Sequence, residues 1–79
     1  MITRLQVRLA RIALGWGVRD LARAAGVSPN TVTRYENGAD ARVETLAHIQ
    51  EVLEQRGIIF VPADSEGGPG VRLSEPKRG

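Results

Sequence analysis

Side chains able to form hydrogen bonds cluster in one short segment, residues 28–38 of the 79-residue chain. Val32 and Tyr35 are apolar and three positions apart, a spacing typical of one side of a helix. The outward positions of that helix carry amide, hydroxyl and guanidinium groups, on Asn30, Thr31, Thr33 and Arg34. We therefore expect a short helix that is buried on one side and offers hydrogen-bond donors and acceptors to solvent on the other.

Residue combinations that support catalysis or metal binding are missing from the sequence. The chain has no cysteine, and its one histidine, His48, has no evident nucleophile or second metal ligand to act with. Gly67, Gly68 and Gly70 precede no helix, so they do not form a phosphate-binding loop. We expect no enzymatic activity, no cofactor and no metal site, and we expect a structural role for His48.

Charge is divided unevenly along the chain. The net charge is +2 overall, with +5 over residues 1–35 and −5 over residues 36–66. A basic first half suits phosphate, because clustered arginines release condensed counterions, although arginines also solvate ordinary helix surfaces. No apolar run approaches the roughly 18 residues that a membrane span needs. We expect a cytoplasmic protein that does not enter a membrane.

Four helices are predicted to position the polar segment. Apolar spacing and helix-ending glycines place them at residues 3–14, 18–25, 29–36 and 43–55. Ser28 is a good N-cap for the third helix, because its hydroxyl accepts a backbone N–H that otherwise has no partner. Pro29 suits the first helical position, where its missing N–H costs nothing. Asn37 and Gly38 are typical of the end of such a helix.

The apolar spacing also predicts which side of each helix is buried. Leu5, Leu9 and Ile12 recur at intervals of four and three, so we expect them to face the core from the first helix. Trp16 lies between two glycines and is expected to fill the core rather than to anchor a partner. The inner side of the fourth helix is expected to comprise Val43, Leu46, Ala47, Ile49, Gln50 and Leu53.

The C-terminal part of the chain predicts a β-hairpin. Residues 58–61 form a continuous apolar run that ends at Pro62, which is typical of a strand. Residues 71–73 alternate and are expected to return as a second strand after a loop rich in glycine and acidic residues. The predicted organisation is a helical domain at 1–57, a hairpin at 58–73 and a disordered polar tail at 74–79.

Three motifs carry a resemblance to a known family: Leu21-Ala22 in the second helix, Gly26-Val27-Ser28 at the turn, and Val32 through Tyr35-Glu36-Asn37-Gly38. Together they resemble the helix-turn-helix domain of lambdoid phage repressors and of the wider Xre-type regulators, over residues 3–56. The resemblance implies a mainly α fold of four to five helices, and it leaves the predicted short C-terminal β-hairpin unexplained. It also implies that the helix at 29–36 enters the major groove of double-stranded operator DNA.

The resemblance implies roles for individual residues. Asn30 and Arg34 match base-reading positions, where an amide suits adenine and a guanidinium suits guanine. Asn37 matches a phosphate contact, and Arg11 and Glu36 match a pair that joins the first helix to the third by a salt bridge. The expected DNA-binding residues are Ser28, Asn30, Thr31, Thr33, Arg34 and Asn37.

Two positions depart from the family pattern. The family often has a base-reading glutamine at the position of Pro29 and a phosphate-binding glutamine at the position of Val18. These departures, the small net charge and the apolar strand keep a second function open. In that alternative the protein is an antiactivator that uses its fold and C-terminal strand to sequester a transcription factor.

The predicted hairpin also implies a partner chain. Apolar side chains of residues 58–61 point to both faces of the strand, and either Ile58 with Phe60 or Ile59 with Val61 packs on the helices. The other face and the open strand edges favour pairing with another chain, although a monomer whose hairpin folds back over the helices is also possible. We expect a homodimer, or a complex with another regulator, through Ile58, Ile59, Phe60, Val61, Val71 and Leu73.

Overall fold

The computed structural model describes residues 2–74 as four helices followed by a two-stranded antiparallel sheet. The elements are α1 (Arg4–Ala13), α2 (Val18–Ala25), α3 (Pro29–Glu36), α4 (Val43–Gln55), β1 (Ile58–Val61) and β2 (Gly70–Leu73). The predicted mainly helical fold with a C-terminal hairpin is confirmed. Residues 75–79, which make up most of the predicted tail, lie outside the described residues.

Local capping groups explain where the first helices begin and end. Before α1, the Thr3 side chain accepts from the Gln6 N–H at 3.1 Å, and the Gln6 amide oxygen accepts from the Thr3 N–H at 2.9 Å. This reciprocal pair satisfies two donors that the helix itself leaves unpaired. Gly15 and Gly26 adopt φ of 72° and 71°. Glycine tolerates this left-handed conformation, so the chain leaves α1 and α2 at these positions.

The core draws on all four helices and on β1. Its most deeply buried large side chains are Val7, Leu21, Val32, Ile49 and Leu53. Trp16 is partly buried and packs against this cluster, in agreement with the expectation from the sequence. The four helices therefore share one core, and packing in this core holds α3 in place.

The buried side of α1 is not the predicted one. Leu5 and Ile12 are 50% and 58% exposed, and Leu9 is only partly buried. The reason is tertiary, because Arg11 on one flank reaches α3 while Gln6 on the other reaches the hairpin. The side between these flanks is turned inward, and the buried residues of α1 are Gln6, Val7 and Ala10.

The prediction for α4 needs a smaller correction. Leu46, Ile49 and Leu53 are buried as expected. Val43 is 64% exposed and Ala47 is also exposed, whereas Val52, which was not predicted, is buried. Val43 is the first residue of α4 and lies outside the core cluster.

The hairpin packs on the helices through one face. The register places Ile58 opposite Leu73 and Phe60 opposite Val71. Residues directly opposite in an antiparallel pair share a face. Ile58 is buried, and Phe60 and Val71 pack against the core, while Ile59 on the other face is 44% exposed. Of the two predicted arrangements, the structure has Ile58 and Phe60 facing the helices.

A buried glutamine ties the hairpin to α1. The Gln6 side-chain nitrogen donates to the carbonyl oxygens of Val61 at 2.9 Å and Gly70 at 3.0 Å. At the other end of the hairpin, the Ser74 N–H donates to the Gly57 carbonyl at 2.6 Å. Ser74 therefore continues the hairpin and does not belong to the predicted tail.

Candidate nucleic-acid interface

The N-terminal end of α3 has the expected cap. The Ser28 hydroxyl accepts from the Thr31 N–H at 3.2 Å and lies 2.9 Å from the Thr31 hydroxyl. Pro29 follows as the first helical residue. Ser28, Pro29 and Asn30 are exposed, while Thr31 is half-buried. The start of α3 is therefore both capped and accessible to a ligand.

The polar residues of α3 lie opposite its buried anchors. Val32 is 1% exposed and Tyr35 is 5% exposed. Residues at positions i, i+3, i+4 and i+7 share one side of a helix. Four exposed polar residues have this spacing at the outer side of α3 and its C-cap, and we call them the α3 polar row: Asn30, Thr33, Arg34 and Asn37.

The first turn of α2 explains one departure from the family pattern. Val18 is partly buried and packs against the core, so it contributes to the packing of α2. The exposed cations of this helix are Arg19 and Arg23, and Arg23 lies 3.8 Å from Asp20. On α2, these two exposed arginines are the groups that suit an anionic ligand.

The structure brings Arg11 and Glu36 together. The guanidinium donates to both carboxylate oxygens, at 2.9 Å and 3.0 Å, and its third nitrogen donates to the Trp16 carbonyl at 3.0 Å. The Glu36 side chain is 3% exposed and that of Arg11 is 14% exposed. The hydrogen bond to Glu36 raises the pKa of Arg11 above its ordinary value. This buried bidentate pair joins α1 to the last residue of α3.

Arg4 makes a second link to α3, and this link was not predicted from the sequence. One terminal nitrogen donates to the carbonyl oxygens of Tyr35 at 2.7 Å and Ala39 at 2.9 Å. The guanidinium carbon lies 4.7 Å from the centre of the Tyr35 ring. Burial raises the pKa of Tyr35, and the nearby charge of Arg4 partly opposes this shift. No sequence signal marks this contact, because its acceptors are backbone groups distant along the chain.

Arg42 is a further cation beside the α3 polar row, and it too was not predicted. It is exposed and forms the N-cap of α4. Arg34 and Arg42 line the same surface hollow of about 250 Å³. The hollow is also lined by Thr31, Asp40, Ala41 and Thr45. Two guanidinium groups next to one hollow suit a ligand that carries negative charge.

The residues expected to contact a partner chain are divided between core and surface. Ile58 is 3% exposed and belongs to the core, so it is not accessible to a partner. Ile59 and Leu73 are 44% and 45% exposed. The others are partly buried: Phe60, Val61 and Val71. Together with Leu5 and Ile12 of α1, the exposed members leave large apolar side chains in contact with solvent.

His48 is exposed, and its Nδ1 lies 3.7 Å from a carboxylate oxygen of Glu51. Among residues 2–74, no group of three or more histidine or acidic side chains is arranged to hold a metal ion. Within the same residues, no helix is long and apolar enough to cross a membrane.

The order α1–α4 with an exposed polar third helix defines a helix-turn-helix protein. Residues 7–58 match the sequence profile of the helix-turn-helix family, and the chain belongs to this family. The resemblance identified from the sequence is thereby confirmed.

Two longer relatives are named as HTH-type transcriptional regulatory proteins. One, from Archaeoglobus fulgidus, is 44% identical over 48 residues, which cover 61% of this chain and 16% of that protein. Another, from Haloquadratum walsbyi, is 38% identical over 63 residues, which cover 78% of this chain and 19% of that protein. The chain thus spans less than a fifth of the length of either relative.

Proposed function

We propose that this protein regulates transcription by binding double-stranded operator DNA through α3, and that it performs no catalysis. The observation that carries the proposal is the α3 polar row, which is exposed on a helix whose opposite side is anchored in the core. The names of the two relatives support a role in transcription. We also propose that the protein acts in the cytoplasm.

The side chains of the row suit the edges of bases. The major groove of DNA is about 12 Å wide and admits one helix. The amide of Asn30 is able to donate to and accept from adenine, and the guanidinium of Arg34 is able to donate twice to guanine. Thr31 and Thr33 offer hydroxyl groups that suit either type of base. We assign base recognition to these four residues.

Phosphate contacts are assigned to the ends of α3 and to neighbouring cations. Ser28 and Asn37 are exposed at the two ends of the helix. The phosphate-binding glutamine of the family is absent at Val18, so other groups have to bind the DNA backbone. Exposed arginines that line surface hollows together with residues of α3 provide them: Arg19 and Arg23 beside Pro29, and Arg42 beside Arg34. Such contacts position the helix without reading sequence.

Salt-dependent binding to DNA tests this function. We expect the protein to bind a site selected from its own upstream DNA more tightly than unrelated duplex DNA, in a gel shift or by fluorescence anisotropy. The affinity for both DNAs falls as salt rises, because phosphate contacts release counterions. Equal, weak binding to both DNAs at all salt concentrations would contradict sequence-specific regulation. The family and the relatives' names do not favour the antiactivator alternative.

We further propose a second copy of this chain as the partner of the hairpin. The sheet has two strands, so β2 is paired along one edge only. β2 packs beside α1, and both elements carry large exposed apolar side chains, Leu73 on β2 and Leu5 and Ile12 on α1. A two-fold rotation pairs a surface with itself, so one contact covers the strand edge and the apolar side chains together. It also provides the two recognition helices that a palindromic operator requires.

Light scattering at micromolar concentration tests the dimer. We expect the parent protein to have twice the mass of one chain, and the variant Leu5→Lys/Leu73→Lys to have the mass of one chain. Val43→Lys is the matched control, because Val43 is 64% exposed but lies on α4. A monomeric parent, or a double variant that remains dimeric, would contradict this surface.

A further inference from the structure

We infer that Arg4 is a positioning residue of the DNA interface, which fixes the turn between α3 and α4 and thereby the spacing of Arg34 and Arg42. This inference rests on the proposed function. Arg4 lies on α1, outside the α3 polar row, and acts through backbone groups. Its contacts differ from those of Arg11, which holds the side chain of Glu36.

The Arg4 side chain connects α1 to two backbone carbonyls, one near the end of α3 and one in the turn that follows. Its terminal nitrogen carries two hydrogens, and these are directed to the carbonyls of Tyr35 and Ala39. Tyr35 is the penultimate residue of α3, and Ala39 lies in the turn that follows. The last carbonyls of a helix have no partner within the helix, so a side-chain donor is effective there. A cation at the C-terminal end also interacts favourably with the helix dipole.

The turn is closed by its own hydrogen bonds, which connect it to Arg34. The Ala39 N–H donates to the Arg34 carbonyl at 2.9 Å, and the Gly38 N–H donates to the Tyr35 carbonyl at 3.1 Å. Arg4 binds the carbonyl of the same Ala39. Both backbone groups of Ala39 are therefore held. The Ala39 N–H donates to the Arg34 carbonyl, and the Ala39 carbonyl accepts from the Arg4 side chain.

This attachment determines where Arg42 lies relative to Arg34. Three residues after Ala39 the chain reaches Arg42, the N-cap of α4, which lines the same hollow as Arg34. In the proposed function Arg34 reads a base and Arg42 contacts phosphate. A loosened turn changes the distance between these two contacts, so it weakens the specific complex, in which both form together. Non-specific binding, which needs only phosphate contacts, is affected less.

Amide hydrogen exchange without DNA tests the positioning itself. The variant is Arg4→Met, which keeps an apolar stem and removes every donor, and the matched control is Arg72→Met, at an exposed position on β2. We expect exchange at Gly38 and Ala39 to become about tenfold faster in Arg4→Met, as for a local opening, while exchange at the buried Val32 stays at the parent rate. Unchanged exchange at Ala39, or equal acceleration throughout the domain, would overturn the inference whether or not the protein binds DNA.

Binding measurements then test the consequence for recognition. At a temperature where both proteins are folded by circular dichroism, we expect Arg4→Met to lower the ratio of specific to non-specific affinity by about tenfold, the scale of one base contact. Simple loss of folded protein lowers both affinities equally and leaves this ratio unchanged, a result that would overturn the inference. We expect the salt dependence of binding to keep the parent slope. A slope reduced by about one would mean that Arg4 itself contacts a phosphate, which would also overturn it.

Discussion

Replacing Gln6 by leucine tests how much the attachment of the hairpin to α1 contributes to stability, apart from the packing of the helices. Gln6 is 3% exposed, and its side chain makes three hydrogen bonds, to the backbone of Thr3, Val61 and Gly70. Leucine fills a similar volume but forms none of these bonds. The substitution therefore removes the polar link between α1 and the hairpin without leaving a large cavity.

The expected loss of stability follows from these contacts. Each hydrogen bond contributes about 1 kcal/mol net, so about 3 kcal/mol is lost. Burial of the leucine side chain offsets about 1.5 kcal/mol of this loss. This is the lower end of the range for a buried leucine, because the glutamine already buried an apolar stem. The net destabilisation is about 1.5 kcal/mol, which in a domain of this size lowers Tm by about 6–12 °C.

Thermal and urea unfolding followed by circular dichroism provide the measurement. Gln55→Leu is the matched control, since Gln55 is exposed at the end of α4, and we expect its stability to stay within about 0.5 kcal/mol of the parent. We also expect faster amide exchange in β1 and β2 of Gln6→Leu than in α2. A Tm for Gln6→Leu at or above that of the parent would refute the assignment of Gln6 as the link.

Three further substitutions test other parts of the fold. Glu36→Gln is expected to destabilise the protein by about 2–3 kcal/mol in urea unfolding, because a buried guanidinium loses its charged partner. A double-mutant cycle with Arg11→Met should show strong coupling, and simple additivity would refute the pairing. Burial raises the folded-state pKa of Tyr35. The contribution of its neutral phenol to the stability of the folded protein is therefore present below about pH 10 and is lost as pH rises through that pKa. Urea unfolding measured as pH rises above about 10 should show a steeper loss of unfolding free energy for the parent than for Tyr35→Phe. Parallel curves of unfolding free energy against pH would contradict this prediction. Gly26→Ala should cost about 1–2 kcal/mol from backbone strain alone, because φ is 71° and an added Cβ meets no atom within 4 Å; an unchanged Tm would contradict this.

Local chemistry explains why several elements were predictable. α3 is marked at its start by Ser28 and Pro29 and at its end by Gly38, and these residues act within a few positions of the helix. β1 is marked by an apolar run that ends at Pro62. For these elements, the predicted bounds agree with the structure.

Features that depend on distant groups were not predictable in the same way. α1 has apolar residues on two sides, and the buried side is selected by contacts with α3 and the hairpin. Arg4 binds carbonyls 31 and 35 residues away, which no side-chain pattern indicates. The Arg11–Glu36 pair was expected through family resemblance and from the position of Arg11 beside the apolar residues of the first helix, because its partners lie 25 residues apart.

The most direct test of the central claim is the affinity of Arg34→Ala for DNA. The site is selected with the parent protein, and both proteins are titrated against it at one fixed salt concentration. Arg56→Ala is the control, because it removes the same charge from an exposed position at the C-cap of α4. We expect Arg34→Ala to lose about 1–3 kcal/mol of specific binding, about 5- to 150-fold in Kd, and to relax selectivity at one base pair, while Arg56→Ala binds like the parent. If Arg34→Ala binds the selected site as tightly as the parent does, α3 does not read DNA in the way proposed.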